Sequence, residues 1–341
     1  MTQQLTGDPT EQPPVEPPPA RRGAGTESRA RDLLYRYAVV LVVMLMIVVF
    51  SVLRPDTFFT TGNFTDLANS RAVLLLLALA LTLPLSVGEF DLSVASALGF
   101  AGILTGDLYG VEHWSAAATM VTVLVVGALT GLVNGFFVVV LGVNAFIVTL
   151  GTGTLLAGLT IFLSGGQILS DVPPGLVAVV TSTLGGLAMP VFLAAALVVL
   201  LWYVYEYTPL GRYLTFVGLG PEVARLAGLP VRNLRMGAFV VAGLMAALCG
   251  ILAVGSLGSA SPSAGDAYLL PAYAGAFLGT TVIKPGRFNA WGTVVALALL
   301  VVGVTGLQLL GAAGWVEQVF NGTALILAVT FARLVSRDRA T

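Results

Sequence analysis

Residues 115–141 read SAAATMVTVLVVGALTGLVNGFFVVVL and carry no charged side chain. A helix needs about 20 mainly apolar residues to cross the hydrocarbon core of a bilayer, which is about 30 Å thick. A charged side chain at the centre of that core costs roughly 2.5–3.5 kcal/mol, so long charge-free stretches are typical of transmembrane helices. This stretch therefore predicts a membrane-spanning helix.

The composition of the whole chain follows the same pattern. Hydrophobic residues make up 57% of the 341 residues and charged residues only 10%, whereas soluble domains carry about 25% charged residues. The mean hydropathy is +0.95, and a soluble protein of this length needs far more polar surface to cover its core. We therefore predict an all-α polytopic membrane protein with about ten transmembrane helices. The predicted spans are 35–53, 72–88, 92–110, 115–141, 145–163, 189–205, 237–257, 267–283, 290–311 and 316–332.

Residues 1–31 differ from the rest, because prolines mix there with Gln, Glu and Thr. Such a segment cannot bury enough apolar surface to fold, so we predict a disordered cytoplasmic tail. It also lacks the apolar core of a cleavable signal peptide. Residues 32–341 form the predicted transmembrane domain. Within it, the stretch 175–188 is too short to span and is predicted to be an interfacial helix or a re-entrant piece.

The arginine positions orient the predicted spans, because positively charged residues favour the cytoplasmic side of a membrane. With ten spans and both chain ends inside, 14 of the 16 basic residues fall on the inner side, and only Arg54 and Arg71 fall outside. This count divides the spans into six before the long basic loop 206–236 and four after it. Both termini and this loop are predicted to be cytoplasmic.

Several function classes are disfavoured by the scarcity of reactive residues. The sequence has one cysteine, Cys249, and one histidine, His113, so it contains no Cys/His cluster for a metal. Its only lysine, Lys284, stands between an isoleucine and a proline, which rules out a P-loop ending in Gly-Lys-Ser/Thr. A net charge of −1 provides no basic field for nucleic acid. No nucleophile–base pair indicates an enzyme, and no cofactor is predicted to bind this chain.

The loop 206–236 contains a short predicted helix. A proline suits its first position, and a glutamate in the first turn complements the positive end of the helix. Small residues and an arginine follow, and a glycine then ends the helix. It is either a plain loop helix or a docking helix for a cytosolic partner. Its defining residues are Pro221, Glu222, Ala224, Arg225, Ala227 and Gly228.

Several stretches match motifs of one transporter family, in order and at the family's spacing. Residues 222–228 (EVARLAG) resemble the E-A-A-x-x-x-G loop of bacterial ABC importer permeases, with Val223 in place of the middle alanine. Glu89 departs from the pattern, since the family usually has glycines there, and this leaves the solute open. The stretches that resemble ribose-type monosaccharide permeases are 90–94 (FDLSV), 131–135 (GLVNG), 144–152 (NAFIVTLGT), 208–212 (TPLGR) and 218–231.

This resemblance implies a function and a set of partners. The chain would be the permease subunit of an ATP-driven importer in the bacterial inner membrane, translocating a monosaccharide or a related small polar solute. Cytosolic ABC ATPase subunits would carry ATP and Mg and dock on residues 221–228. A second permease chain, identical or different, would complete the pore. An extracytoplasmic solute-binding protein would deliver the solute.

Polar residues in or near the predicted spans are candidates for the translocation path, because a neutral sugar needs hydrogen-bond donors and acceptors without strong charge. The alternative role is hydrogen bonding between helices, worth about 0.6–2 kcal/mol for each bond. Two carboxylates near the membrane face are costly, which indicates either function or helix capping. The candidates are Glu89, Asp91, Asn134, Asn144, Thr149 and Thr152, and further polar residues of this kind are Gln167, Gln308 and Asn321.

An ion-coupled secondary transporter of a small solute is the alternative function. It would carry intramembrane acids and broken helices in two matching halves. The similarity between residues 131–154 and 303–324 is faint, and the polar residues of the last two spans supply few carboxylates. The sequence therefore favours the ATP-driven permease.

Overall fold

The computed structural model describes the backbone of residues 26–337 and the side chains of residues 36–330. Within that part the chain is almost entirely helical, and eight helices are long and apolar enough to cross a membrane. The predicted all-α polytopic membrane fold is therefore confirmed. Most of the predicted tail 1–31 lies outside the described residues, and its end already belongs to the first helix.

The helices follow one another with short connections, and two strands form one small hairpin. Two π-helical turns, Asp107–Val111 and Phe136–Val140, extend α3 and α4. The strands are β1 (Thr183–Leu184) and β2 (Leu187–Ala188). The helices are α1 (Thr26–Leu53), α2 (Thr61–Ser86), α3 (Val94–Gly106), α4 (Ala116–Gly135), α5 (Ala145–Ser164), α6 (Pro174–Val180), α7 (Met189–Tyr207), α8 (Pro209–Leu219), α9 (Pro221–Leu226), α10 (Val231–Leu257), α11 (Leu269–Gly279), α12 (Ala290–Leu309) and α13 (Trp315–Arg337).

The eighth predicted span, 267–283, is only partly α-helical. It contains the end of a 3-10 turn and then α11, which has 11 residues and is only about 16 Å long. The helix ends where the hydroxyls of Thr280 and Thr281 donate to carbonyls of its last turn, because such bonds compete with a continuing helix. The tenth predicted span, 316–332, lies in α13, whose 23 residues are enough to cross the membrane.

Helix α10 lies at the centre of the described bundle and packs against α2, α3 and α4. It lies closest to α4 along Gly127, Gly131 and Gly135, where an added Cβ would overlap atoms of α10. Small residues let helix backbones approach one another in lipid, so this glycine series lets α4 pack closely on α10. An added Cβ at Gly151 or Gly158 of α5 would meet no heavy atom within 4 Å in the described part of the chain.

Residues 175–188 form most of α6 and the hairpin β1–β2, and none of these elements is long enough to span. Asn69 ties the hairpin to α2. Its Nδ2 donates to the carbonyl of Gly186 at 3.0 Å, and its Oδ1 accepts the N–H of Ala188 at 2.8 Å. The stretch is therefore fastened to the first half of α2.

The loop 206–236 forms the helix pair α8–α9 and the start of α10. Thr208 caps α8, since its hydroxyl accepts the N–H of Gly211 at 3.3 Å. Helix α9 begins at Pro221, as predicted. Gly228 follows it with a φ of +80°, a left-handed conformation that glycine adopts without strain.

Candidate functional site

The chain between α2 and α3 forms a polar interruption in the bundle, here called the α2–α3 break (residues 87–93). Gly88 turns the chain with a φ of +83°. The N–H of Glu89 donates to the carbonyl of Pro84 at 2.9 Å and so closes the end of α2. Glu89 and Asp91 are both buried in the break. Each carboxylate therefore needs polar partners.

A chain of side-chain hydrogen bonds starts at Asp91. Its Oδ1 accepts the backbone N–H of Ser93 at 3.1 Å and the hydroxyl of Ser93 at 2.5 Å. The Ser93 Oγ accepts in turn from the Nδ2 of Asn134 at 2.8 Å. The Oδ1 of Asn134 accepts from the hydroxyl of Thr152 at 2.7 Å. One network thus connects the α2–α3 break with α4 and α5.

Asp91 does not cap α3, whose N-cap residue is Ser93 and has no side-chain cap bond. Its bond to the Ser93 N–H instead forms an Asx-turn that leads into the helix. Asp91 lies outside the two flanking spans and is 1% exposed. This burial raises the pKa of its carboxyl to about 6, and the hydrogen bonds from Ser93 act in the opposite direction. Its part in a solute path stays a prediction.

Thr149 joins the break by a second route. Its Oγ1 accepts the N–H of Leu92 at 3.1 Å and donates to the carbonyl of Ala145 at 2.8 Å. Asn144 stands apart, because its Oδ1 accepts the N–H of Phe146 at 2.9 Å and so caps α5. The predicted path residues that the structure brings together around the break are Asp91, Asn134, Thr149 and Thr152.

Glu89 has a different partner from the rest of the break. Its Oε1 accepts from the Nε of Arg235 at 2.7 Å, in an ion pair with the beginning of α10. The two side chains are only 12% and 23% exposed. Loss of either one would therefore leave the charge of the other unpaired in a site with little water. Sequence reasoning missed this role of Arg235, because the two residues are 146 positions apart.

Helix α8 is packed directly on the α2–α3 break. Gly218 lies so close to the carbonyl of Ser86 that an added Cβ would overlap this oxygen. Val217 of α8 and Ala224 of α9 are fully buried in an apolar cluster that also contains Val87. The helix pair α8–α9 is therefore seated on the end of α2 and on the break.

The opposite face of the helix pair is exposed. Glu222 and Arg225 form a surface ion pair of 2.9 Å, which contributes little to stability. Three neighbouring apolar side chains, here called the exposed apolar face, are Leu219, Val223 and Leu226, at 76%, 60% and 90% exposure. The predicted docking residues therefore divide, since Ala224 is buried whereas Pro221, Glu222, Arg225, Ala227 and Gly228 are exposed.

Aromatic rings connect the break with α11. Phe90 is 42% exposed and stacks on Tyr273, with ring centres 6.4 Å apart. Phe277 lies 6.0 Å from Phe90 and 6.1 Å from Tyr273. The Tyr273 hydroxyl is buried and has no hydrogen-bond partner within the described residues. Sequence reasoning missed this cluster, because its members come from two distant segments of the chain.

The fold and the site together define a class of protein. A bundle of membrane-spanning helices, interrupted by a polar break that carries a surface helix pair, fits a membrane permease. Over residues 63–329 the chain matches the family described as the branched-chain amino acid transport system / permease component. The chain belongs to this family, and it is a multi-pass protein of the bacterial inner membrane.

Several curated relatives are similar along most of their length. The chain is 31% identical to the ribose import permease protein RbsC of Escherichia coli, over 84% of this chain and 90% of the relative. It is 27% identical to the D-allose transport system permease protein AlsC of Escherichia coli, over 89% and 93%. It is 32% identical to the autoinducer 2 import system permease protein LsrD of Yersinia pseudotuberculosis, over 74% and 78%. No solved structure matches the chain.

Proposed function

We propose that this chain is the transmembrane permease subunit of an ATP-driven ABC importer that moves a monosaccharide or a related small polar solute across the plasma membrane. The observation that carries the proposal is the helix pair α8–α9, which is seated on the α2–α3 break and exposes an apolar face. The choice of solute class is supported by the relatives, since ribose and allose, for which two of them are named, are both monosaccharides.

The energy for transport comes from separate subunits in this proposal. The sequence has one lysine, Lys284, and no P-loop around it. Cytosolic ABC ATPase subunits therefore hold the ATP and Mg, and this chain binds no cofactor. A second permease chain, identical or different, completes the translocation pathway. An extracytoplasmic solute-binding protein delivers the solute.

The exposed apolar face is the proposed docking surface for an ATPase subunit. Its three side chains fit an apolar groove on the partner, and the Glu222–Arg225 ion pair lies beside them at the rim. This occupant is cytosolic, so the proposal places the loop 206–236 and both chain termini on the cytoplasmic side. The distribution of basic residues along the sequence supports the same orientation.

Two contacts can pass a movement of α9 on to the spans. Gly218 of α8 abuts the carbonyl of Ser86 at the end of α2, and Glu89 ties the break to Arg235 of α10. Packed backbones shift as rigid elements because they do not deform continuously. A push on α9 therefore shifts the ends of α2 and α10 together. The network that starts at Asp91 extends this shift to α4 and α5.

Replacing Leu226 with aspartate tests the docking surface. The change places a charge on a side chain that is 90% exposed, so it should leave the fold intact. We expect loss of ATPase co-purification and a drop in sugar uptake of about tenfold or more, because disrupting an interface hot spot costs about 2 kcal/mol or more. The measurements are the amount of ATPase that purifies with the tagged permease and the uptake of radiolabelled D-ribose and D-allose by the native cells.

Leu184→Asp is the matched control, since Leu184 lies in β1, away from the helix pair, and is 75% exposed. This variant should keep both activities. If Leu226→Asp retained the ATPase and full uptake, the docking assignment would be wrong. Uptake that survives depletion of ATP but collapses with the proton gradient would instead support the ion-coupled transporter.

A further inference from the structure

A cavity of about 360 Å³ opens between the loop that precedes α11 and the first turns of α13. This volume is within the range of about 300–1,000 Å³ that is typical of small-molecule sites. None of the residues that the proposed docking surface or the break uses contributes to its lining. The lining residues that matter here are Ser263, Asp266, Leu270, Glu317, Gln318 and Asn321.

The lengths of α2 and α10 show that this cavity and the docking surface lie near opposite ends of these helices. Arg71, which pairs with the lining residue Glu317, lies on α2 about four turns, or roughly 22 Å, before Ser86. Helix α10 has 27 residues and extends about 40 Å from the end that carries Arg235 to the loop before α11. In the proposed orientation, the cavity therefore lies on the extracytoplasmic half of the protein.

Asn321 is the buried polar group that points to a ligand. It is 5% exposed and lines both this cavity and a smaller one beside Arg71. No hydrogen bond within the described residues involves its amide, and the amide atoms are not among the fully enclosed polar atoms of that part of the chain, so they are open to the cavity. The amide therefore offers one acceptor and two donor hydrogens to whatever occupies the cavity.

The charges around the cavity largely cancel. The Nη1 of Arg71 lies 3.0 Å from the Oε1 of Glu317, which neutralises the one basic side chain among the described residues that line the two cavities. The rim adds the carboxylate of Asp266 and the amide of Gln318. An anion would find no free positive charge here. The lining is instead rich in acceptors and amide donors, which suits a ligand with several hydroxyl groups.

We propose that this cavity is an outer binding site for an uncharged polyhydroxy solute of monosaccharide size. The amide of Asn321 bonds to solute hydroxyls, and Glu317, held in place by Arg71, accepts a further hydroxyl. Helix α11 begins at this cavity and leads to Tyr273 and Phe277, which lie beside the α2–α3 break. This inference rests on the proposed function, because the solute arrives from the extracytoplasmic side.

Ligand protection of an introduced cysteine tests the site. Ser263→Cys puts a thiol of nearly the same shape at the exposed rim, and we expect no reaction at the native Cys249, because it is buried. Alkylation by a membrane-impermeant maleimide is timed in native cells that carry the variant in place of the chromosomal gene. We expect millimolar D-ribose or D-allose to slow the reaction severalfold. L-Leucine, which is zwitterionic, should not slow it.

Two further variants make the test specific. Adding Asn321→Leu should remove the protection by sugar. Ser182→Cys, exposed between α6 and β1 and outside the lining, should show no protection at any sugar concentration. Leu270→Trp fills the cavity from its rim, since Leu270 is 50% exposed. It should abolish both protection and uptake while the amount of protein in the membrane stays the same.

Uptake of the same sugars, measured against cells that lack this chain, separates the possible failures. Uptake without protection would overturn the cavity assignment and leave the proposed function standing, and the cavity would then hold water only. Equal protection by L-leucine would overturn the solute class. Unchanged uptake in Leu270→Trp would also overturn the site. Absence of both uptake and protection would refute the proposed function, and this inference with it.

Discussion

Asp91 shows how a single residue sets the geometry of the α2–α3 break. Burying a carboxylate is unfavourable unless hydrogen bonds replace its lost water. Ser93 supplies two such bonds to one oxygen, and the second of them continues through Asn134 to Thr152. The side chain that forms the Asx-turn before α3 is therefore also the first member of a network between three segments.

Replacing Asp91 with alanine should destabilise the protein by about 1–3 kcal/mol, because the buried N–H of Ser93 loses its acceptor. Asp91→Asn keeps an acceptor oxygen at the same place and should lose much less. The measurement is the thermal unfolding of the purified chain in detergent, followed by circular dichroism. Equal losses in both variants would show that the negative charge, rather than the acceptor atom, holds the break.

Individual residues also show where sequence reasoning ends. A polar side chain in the first turns of a helix can cap that helix or bond to a neighbouring segment. Asn144 caps α5, whereas Thr149 bonds to the break. The choice depends on where the neighbouring helix lies, and the sequence does not specify this. The same holds for Arg235, which the arginine count predicts only as a cytoplasmic residue. Its partner Glu89 is defined by the packing of α10 against the break.

At the scale of elements, hydropathy predicts where a helix is apolar but not where it stops. The window 267–283 is apolar enough to span, yet α11 ends at Gly279 because Thr280 and Thr281 bond back to its carbonyls. The glycine series illustrates a related limit. Gly131 and Gly151 both stand in glycine-rich patterns, but only Gly131 faces another helix. The spacing of small residues thus indicates a possible contact, and the fold selects among the candidates.

Gly131→Ala should destabilise the protein by about 1–3 kcal/mol, the usual cost of overpacking. The new Cβ would overlap the carbonyl of Phe239 on α10, so α4 and α10 must separate. Gly151→Ala is the matched control, because nothing lies within 4 Å of its added Cβ. Thermal unfolding of the two variants in detergent gives the comparison. Equal unfolding temperatures would contradict the close approach of α4 and α10.

For the whole molecule, the positions of the eight long apolar helices and the existence of α9 could be predicted from the sequence. Both depend on local properties, namely apolar length and the residues that start and stop a helix. The cytoplasmic placement of the termini stays a prediction that rests on the arginine distribution. The packing of α8–α9 on the break could not be predicted from the sequence, because Gly218 and Ser86 come together only when α2 and α8 pack.

This seating makes a prediction about the coupling of the complete transporter. Gly218→Ala should push α8 away from Ser86, because the added Cβ would overlap the carbonyl oxygen. The exposed apolar face is untouched by this change, so the variant should still co-purify with the ATPase. Sugar uptake should fall strongly, since the movement of α9 no longer reaches α2. The two readouts therefore separate in this variant, whereas Leu226→Asp lowers both.

Gly237→Ala is the matched control for that prediction. Gly237 lies in the first two turns of α10, close in sequence to the helix pair, and nothing lies within 4 Å of its added Cβ. It should keep both ATPase binding and uptake, at the same level of protein in the membrane. If Gly218→Ala transported as well as Gly237→Ala, the contact between α8 and α2 would not be the route by which the docking surface acts on the spans. The ion pair between Glu89 and Arg235, at the start of α10, would then be the contact to test.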